Sequence, residues 1–273
     1  MVFFLKGLQQ LMDKQNFRRA FTSRNIPGYK CPHCLSGLLR IDGEFKSLET
    51  EESRAQHKEE WWDPEYVSYV FSCTLKCTTC NEVVFVVGSG WVSEDYDVDG
   101  RGELTKVFQS YFSPSYFHPG LQLIDYPSKA PKEVLAPLAT ACSLYFSSPA
   151  SCCNSIRVSA EKLLTTLGIA EKKEDKIISF GNRINLLGED HGTIKGLFSA
   201  IKWLGNHGSH PGNTIEADDA LNALEIMEFL LEEIYGERKK ALEELAEAIN
   251  EQKGPVSRLQ RATNPFSGLF NTD

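Results

Sequence analysis

Long apolar runs are missing from this sequence. Nowhere does it reach the roughly 20 consecutive apolar residues that a membrane-spanning helix requires, so no helical span is expected. The opening stretch MVFFLKGLQQLMDKQNFRRAF has an apolar tip, but Lys6 interrupts it and no small-residue cleavage site comes after it. It is read as a short helix and not as a secretory leader. Positive charge is also scarce. Lys and Arg total 29 against 37 Asp and Glu, a formal net charge of −8. A protein that coats phosphate backbones by charge alone should be basic, so only a local basic patch could serve nucleic acid. No internal repeat is visible. The glycines of GEDHGTIKG (188–196) fit neither a Walker nor a Rossmann pattern, and Thr193 reads better as a helix N-cap.

What is present is an ordinary globular composition over 273 residues, enough for one large domain or two smaller ones. Without a leader, the eight cysteines are expected in a reducing cytoplasm, where metal binding or burial is favoured over disulfides. Residues 1–27 read as a leading helix that stops before Pro27-Gly28. Residues 28–128 read as a ribbon domain with a connector. In it YVSYVFSC (66–73) and NEVVFVVGSGWV (81–92) carry the Val, Tyr and Phe content of strands. The polar stretch at 43–65 is expected to be a loop or helical excursion. The turn-rich 96–128, with one strand candidate in ELTKVFQSYF, is expected to drape over the surface of the C-terminal half.

Two cysteine pairs define the first candidate site: CPHC supplies Cys31 and Cys34, and CTTC supplies Cys77 and Cys80. A CxxC turn aims two sulfurs at one point, and its backbone N–H groups can donate to the thiolates. Four thiolates suit the tetrahedral preference of Zn²⁺, with bonds of about 2.3 Å. Such a closed site holds a fold and leaves no coordination position for catalysis. Cys73 could replace a member of the second pair, but its spacing to Cys77 suits a turn less well. His33 is expected to point outward, and a redox CxxC would need a thioredoxin-like βαβ context that is lacking. Cys142, Cys152 and Cys153 fall on apolar helical stretches and read as small core residues. Trp61, Trp62, Tyr66 and Tyr69 could stack on bases, though aromatics beside strands more often fill a core.

From about residue 129 the apolar period becomes helical. Ile156, Ala160, Leu163, Leu164 and Leu167 share one face of a helix that Gly168 ends. Ile194, Leu197, Phe198, Ile201 and Leu204 share another. A long helix, or two meeting near Gly236, comes next. Helices joined by short turns imply antiparallel neighbours, hence a bundle over 129–252. The tail, 253–273, mixes Gly, Pro, Ser and Asn and is expected to be loosely held, with phenylalanines that could dock on a partner. The expected fold is α+β: a four-cysteine zinc ribbon with a small antiparallel sheet, then an all-α bundle.

The second candidate site lies at IKWLGNHGSH (201–210). Asn206 and His210 are four apart and share a face on a continuing helical turn. Upstream, Arg157 and Glu161 share the same spacing. If the bundle joins the two helices, these four residues form one polar set. They can instead cap a helix end, a stop that Pro211 would favour.

The chain resembles a bacterial domain family of the HEPN superfamily. RVSAE (157–161), K-W-L-G-N-x-x-x-H (202–210) and the long helix DALNALEIMEFLLEEIYG carry the resemblance. It is strongest over 129–236 and looser over the ribbon. Members occur alone or fused to type I restriction-enzyme subunits and other defence proteins. Active HEPN proteins are metal-independent ribonucleases. A histidine acts on the ribose 2′-hydroxyl or the leaving oxygen, and an arginine stabilises the phosphorane charge. Their signature is an arginine, a few residues and then a histidine, often Arg-Asn-x-x-x-His, and the arginine and histidine usually come together across a dimer. Here Gly205 holds the position before the asparagine and Lys202 is the nearest upstream cation on the same helix. A lysine is a point charge and not a fork.

The resemblance leaves two expectations for a bacterial, cytoplasmic protein. The missing arginine favours a non-catalytic adaptor in a defence system, binding RNA, DNA or a protein partner and pairing as a homodimer through the bundle. The alternative is a ribonuclease effector with His210 as acid/base and Asn206 orienting phosphate. Arg157 or Lys202 would then hold charge and Glu161 would orient the cation.

Overall fold

The computed structural model describes residues 13–98, 100, 102–188, 192–209 and 214–255. It is a mixed α+β structure: a four-stranded antiparallel sheet in the first half and helices in the second. The strands β1 (Leu39–Glu49), β2 (Ser68–Cys77), β3 (Val83–Val98) and β4 (Leu104–His118) form a meander in the order β1-β2-β3-β4. Period-2 alternation sets the inner face, where Phe71, Leu75, Val84, Val86, Phe112 and Phe117 are buried. Phe45 stacks on Phe71 at 5.1 Å and meets Phe112 at 4.7 Å, which ties three strands through one aromatic cluster.

The sheet is larger than the sequence suggests. The 43–65 stretch begins as strand: β1 runs to Glu49, and a register shift between Ile41 and Phe45 is eased by Gly43 at φ +88°. Only then does the chain leave the sheet, through α2 (Glu51–Gln56) and a 3-10 turn at Pro64–Tyr66. Within the expected connector the strand candidate at 103–112 is present, and as β4 it continues through the turn-like residues to His118. Its Ser-Pro signals belong to an edge strand, where Pro114 needs no donor, next to a register shift at Val87/Gly88. Residues 1–12 of the expected leading helix lie outside the described residues; within 13–27 the helix is α1 (Lys14–Arg18). Beyond it Phe21 exchanges backbone hydrogen bonds with Phe112, so the chain joins the sheet edge.

The helical half agrees with the apolar periodicity. α3 (Lys132–Leu144) and α4 (Pro149–Thr166) pack together, and the Ser159 hydroxyl donates to the Val134 carbonyl at 2.6 Å. Ser148 caps α4 by accepting from the Ser151 N–H, and Gly168 at φ +83° lies just past its end. Ile156, Ala160, Leu163 and Leu164 are buried against α6 (Gly192–Ser209) and α7 (Ala217–Tyr235). α7 opens with a capping box between Glu216 and Asp219, and α8 (Arg238–Gln252) begins after the break at Gly236. Between α4 and α6 lie a short hairpin, β5 (Lys172–Lys173) and β6 (Lys176–Ile177), and α5 (Phe180–Asn185). Ile177 therefore points to solvent, 81% exposed, while Phe180 and Ile184 enter the core. The same core continues from the sheet through Leu121, Leu123 and Ile124 into the helices. Cys142, Cys152 and Cys153 are buried in it, as the apolar pattern predicts. Among the described residues no helix is long and apolar enough to cross a membrane.

Candidate metal centre and helical polar cluster

The two cysteine pairs converge. The sulfurs of Cys31, Cys34, Cys77 and Cys80 all lie within 4.8 Å of one another. Cys31 Sγ is 3.6 Å from Cys80 Sγ, and Cys34 Sγ is 3.6 Å from Cys77 Sγ. The first pair sits on the turn before β1, and the second spans the β2–β3 turn. The knuckles share one backbone form. The residue after each second cysteine, Leu35 at φ 56° and Asn81 at φ 62°, adopts the left-handed conformation. Asparagine tolerates it readily, whereas leucine there is uncommon.

Backbone donors line the sulfurs. The His33 N–H donates to Cys31 Sγ at 3.4 Å, and the Gly37 N–H to Cys34 Sγ at 3.3 Å. Cys77 Sγ accepts from the N–H groups of Thr79 and Cys80. The Ser36 hydroxyl, then the Gly37 N–H, pull the Cys34 thiol down to about 5. The Cys80 N–H chiefly lowers Cys77, while burial raises Cys31. Four soft donors this close, two of them biased toward thiolate, could hold a metal ion. Cys73 is not part of the group. It faces the sheet core, where burial pushes its thiol up to about 11. His33 is exposed and points outward.

The helical residues also come together in part. Arg157 on α4 donates from Nε to Glu161 Oε1 at 3.0 Å, and from Nη1 to Asn206 Oδ1 on α6 at 2.5 Å. Gly205 makes this approach possible. A β-carbon there would lie 2.8 Å from Arg157 Cβ and 2.9 Å from its Cδ. The arginine stem thus lies along the glycine, and its head reaches the next residue. The guanidinium carbon sits 5.8 Å from the ring centroid of buried Phe180. Lys202 is placed differently. Its amine lies 4.0 Å from the Trp203 ring centroid, and a β-carbon on Gly181 at the start of α5 would lie 3.5 Å from that amine. His210 lies outside the described residues.

Sequence reasoning missed two members of this neighbourhood. Phe180 is one. The other is Arg183, buried, whose Nη2 donates to the Thr165 hydroxyl at 2.8 Å and the Ile169 carbonyl at 2.9 Å. Its position beside Ile184 on a short apolar helix carries no hint of that role. The aromatic set divides: Tyr69 is half-buried against Phe112, Trp62 packs on His57, and Trp61 and Tyr66 form an exposed edge-to-face pair.

Two families match this chain. One, described as a domain of unknown function (DUF8608), matches residues 19–117, which hold the sheet and all four clustered cysteines. The other, also described as a domain of unknown function (DUF4145), matches residues 139–252, from within α3 to the end of α8, and contains Arg157, Glu161 and Asn206. No curated protein and no solved structure matches the chain.

Proposed function

We propose that the chain joins a zinc ribbon to a HEPN-like helical bundle and works as a non-catalytic adaptor in a bacterial defence system, binding nucleic acid or a protein partner. One observation carries the reading: the Arg157 guanidinium is engaged by Glu161 on its own helix and by Asn206 on α6. An arginine held this way ties two helices of a scaffold, and its remaining N–H donors can still meet a partner's anionic group. Zn²⁺ held by Cys31, Cys34, Cys77 and Cys80 would pin the ribbon and supply no chemistry beyond that. The setting is the cytoplasm, and the bundle is the proposed surface for homodimer pairing.

A second reading has its own observation. Arg157 lies against Gly205, so a guanidinium arrives beside Asn206 from a neighbouring helix. That supports a ribonuclease in which His210 moves the proton, Asn206 orients phosphate, and Arg157 or Lys202 offsets charge while Glu161 holds the arginine. Incubating the protein with labelled tRNA and mRNA in EDTA, beside a His210→Ala variant, separates the two. The adaptor reading expects retention of RNA or of a defence protein with no cleavage by either form. Cleavage leaving 2′,3′-cyclic phosphate, lost in the variant, would replace the adaptor with the enzyme.

A further inference from the structure

β3 and β4 run on past the rest of the sheet. β2 stops opposite Trp91, and from Val92–Ser110 to Val98–Leu104 the two strands pair, among the described strands, only with each other. This ribbon is an arm. Its register puts Glu94 and Phe108, Tyr96 and Lys106, and Val98 and Leu104 on one face, in line with the buried Val84, Val86 and Val92. Beyond Val92 that face has left the core: Leu104 is 72% exposed, Tyr96 62% and Val98 60%. Lys106 binds Glu94 at 2.6 Å and lies 5.1 Å from the Phe108 ring centroid, and the Tyr96 hydroxyl donates to Glu94 at 2.8 Å.

The β3 edge of the arm is closed to a further strand. Val92 donates its N–H to the Val67 carbonyl, away from β4, and the N–H groups of Glu94, Tyr96 and Val98 share that parity. The carboxylates of Glu65, Asp95 and Asp97 accept from them in turn. A carboxylate seated on each donor blocks strand addition, so a partner of the arm must use its apolar face.

Charge around the arm is one-sided. Asp63, Glu65, Glu94, Asp95, Asp97 and Glu103 lie on it or on the 3-10 turn packed against β3, and Lys106 is the one amine there among the described residues. The turn after Phe21 at the β4 edge adds Arg24, while Asp99 and Arg101, between the strands in sequence, offset each other. A second copy of the arm, or a nucleic acid, would meet this acid with more negative charge. A polypeptide with cations and flat apolar groups fits it. The chain carries such a segment. Residues 256–273, VSRLQRATNPFSGLFNTD, lie outside the described ones. They hold Arg258 and Arg261, the apolar Leu259, Phe266, Leu269 and Phe270, and one carboxylate side chain, at Asp273. Fully extended, the segment spans about 60 Å, more than the diameter of about 50 Å expected of a compact chain of this length.

We infer that residues 256–273 dock on the apolar face of the β3–β4 arm of their own chain, with Phe266 and Phe270 against Tyr96, Leu104 and Phe108 and with Arg258 and Arg261 among the carboxylates. The segment then shields rings that would otherwise stay in water. The assignment does not depend on the role proposed for the Arg157–Asn206 cluster.

Photo-crosslinking of the full chain tests this. With p-benzoylphenylalanine in place of Phe266, irradiation should join the segment to peptides holding Val92–Val98 or Leu104–Ser110. The link should form within one chain, with a yield unchanged by tenfold dilution. Tyr96→Ala with Leu104→Ala should lower that yield at least about threefold. Arg258→Glu with Arg261→Glu should also lower it. Raising the salt tenfold should lower the yield of the parent, because exposed ion pairs are screened. Phe229→Ala, an exposed ring on α7, should change nothing. Trypsin gives a second reading without the unnatural residue: cleavage after Arg258 and Arg261 should quicken several-fold when Tyr96 and Leu104 are both alanine. The replaced arm side chains are exposed, so circular dichroism should match the parent. No crosslink, crosslinks on another surface or only between chains, yields indifferent to the arm variants, or cleavage at an unchanged rate would each overturn the assignment.

Discussion

Arg157 and Asn206 stand 49 residues apart in the chain, yet the guanidinium of one donates to the amide oxygen of the other across the α4–α6 interface. The bond is partly buried and charge-assisted, and unlike the equally part-buried i,i+4 contact from Arg157 to Glu161 it joins two helices. Arg157→Ala and Asn206→Ala should each lower the unfolding free energy by about 1 kcal/mol. Urea denaturation of the two single variants and the double variant should return a coupling of about 1 kcal/mol. Additive losses would mean that the pair does not couple the helices.

Three glycines of α6 predict three different outcomes on replacement by alanine. At Gly196 nothing lies within 4 Å of an added β-carbon, so the helix should gain about 0.5–1 kcal/mol. At Gly205 that carbon meets Arg157 Cβ at 2.8 Å. The gain should vanish or reverse, and Arg157→Ala should not restore it in full, because alanine keeps that β-carbon. At Gly208 the obstacle is backbone, the Ala150 carbonyl oxygen at 2.8 Å, so Gly208→Ala should destabilise by about 1–3 kcal/mol. Thermal denaturation of the four variants reads the order directly.

These glycines also mark where the sequence stops being legible. The cysteine pairs announce their own convergence, because CxxC turns carry their geometry locally. The β2 and β3 alternation and the α4 stripe of Ile156, Ala160, Leu163 and Leu164 are equally local signals, and the structure obeys them. β4 past Ser113 is different. Its Ser-Pro pattern is the local grammar of a turn, and only its place at the sheet edge makes it strand. The Arg157–Asn206 bond depends on how two helices pack, which spacing within either helix cannot specify. A glycine inside an otherwise apolar helix, Gly205, is the one local signal of that close approach. Alternation likewise separates Phe85 and Tyr116 from Val86 and Phe117, but it does not say which face another element covers.

Acid should weaken the region around β5. Glu171 accepts from the Thr165 hydroxyl at 2.8 Å and lies 3.1 Å from the Lys162 amine. The hydroxyl chiefly, and then the lysine, hold its carboxyl below the ordinary range. A carboxyl lowered in the folded state contributes stability that is present above its unfolded pKa. That contribution is lost as the pH falls through the folded value. Stability measured by urea from pH 6 down to pH 3 should therefore decline, and Glu171→Gln should decline less over that interval. Parallel curves for the two proteins would show that Glu171 carries no such linkage.

The cysteine cluster makes the sharpest claim about composition. If its four thiolates hold Zn²⁺, carefully purified protein should contain about one zinc per chain, and stripping it should lower the melting temperature. Cys31→Ser and Cys77→Ser should each lose the metal. Cys73→Ser should keep it, because that thiol lies in the sheet core. Gly37→Ala tests the cradle without touching a ligand. Its β-carbon would fall 2.4 Å from Cys77 Sγ and 2.8 Å from Thr79 Oγ1, and neither the sulfur nor the tight knuckle can retreat without spoiling the tetrahedron. Gly37→Ala should thus lose zinc about as fully as a cysteine variant while keeping all four thiols. Retention of full zinc by Gly37→Ala would mean that the knuckles do not close as described, and metal-free parent protein would remove the zinc centre altogether.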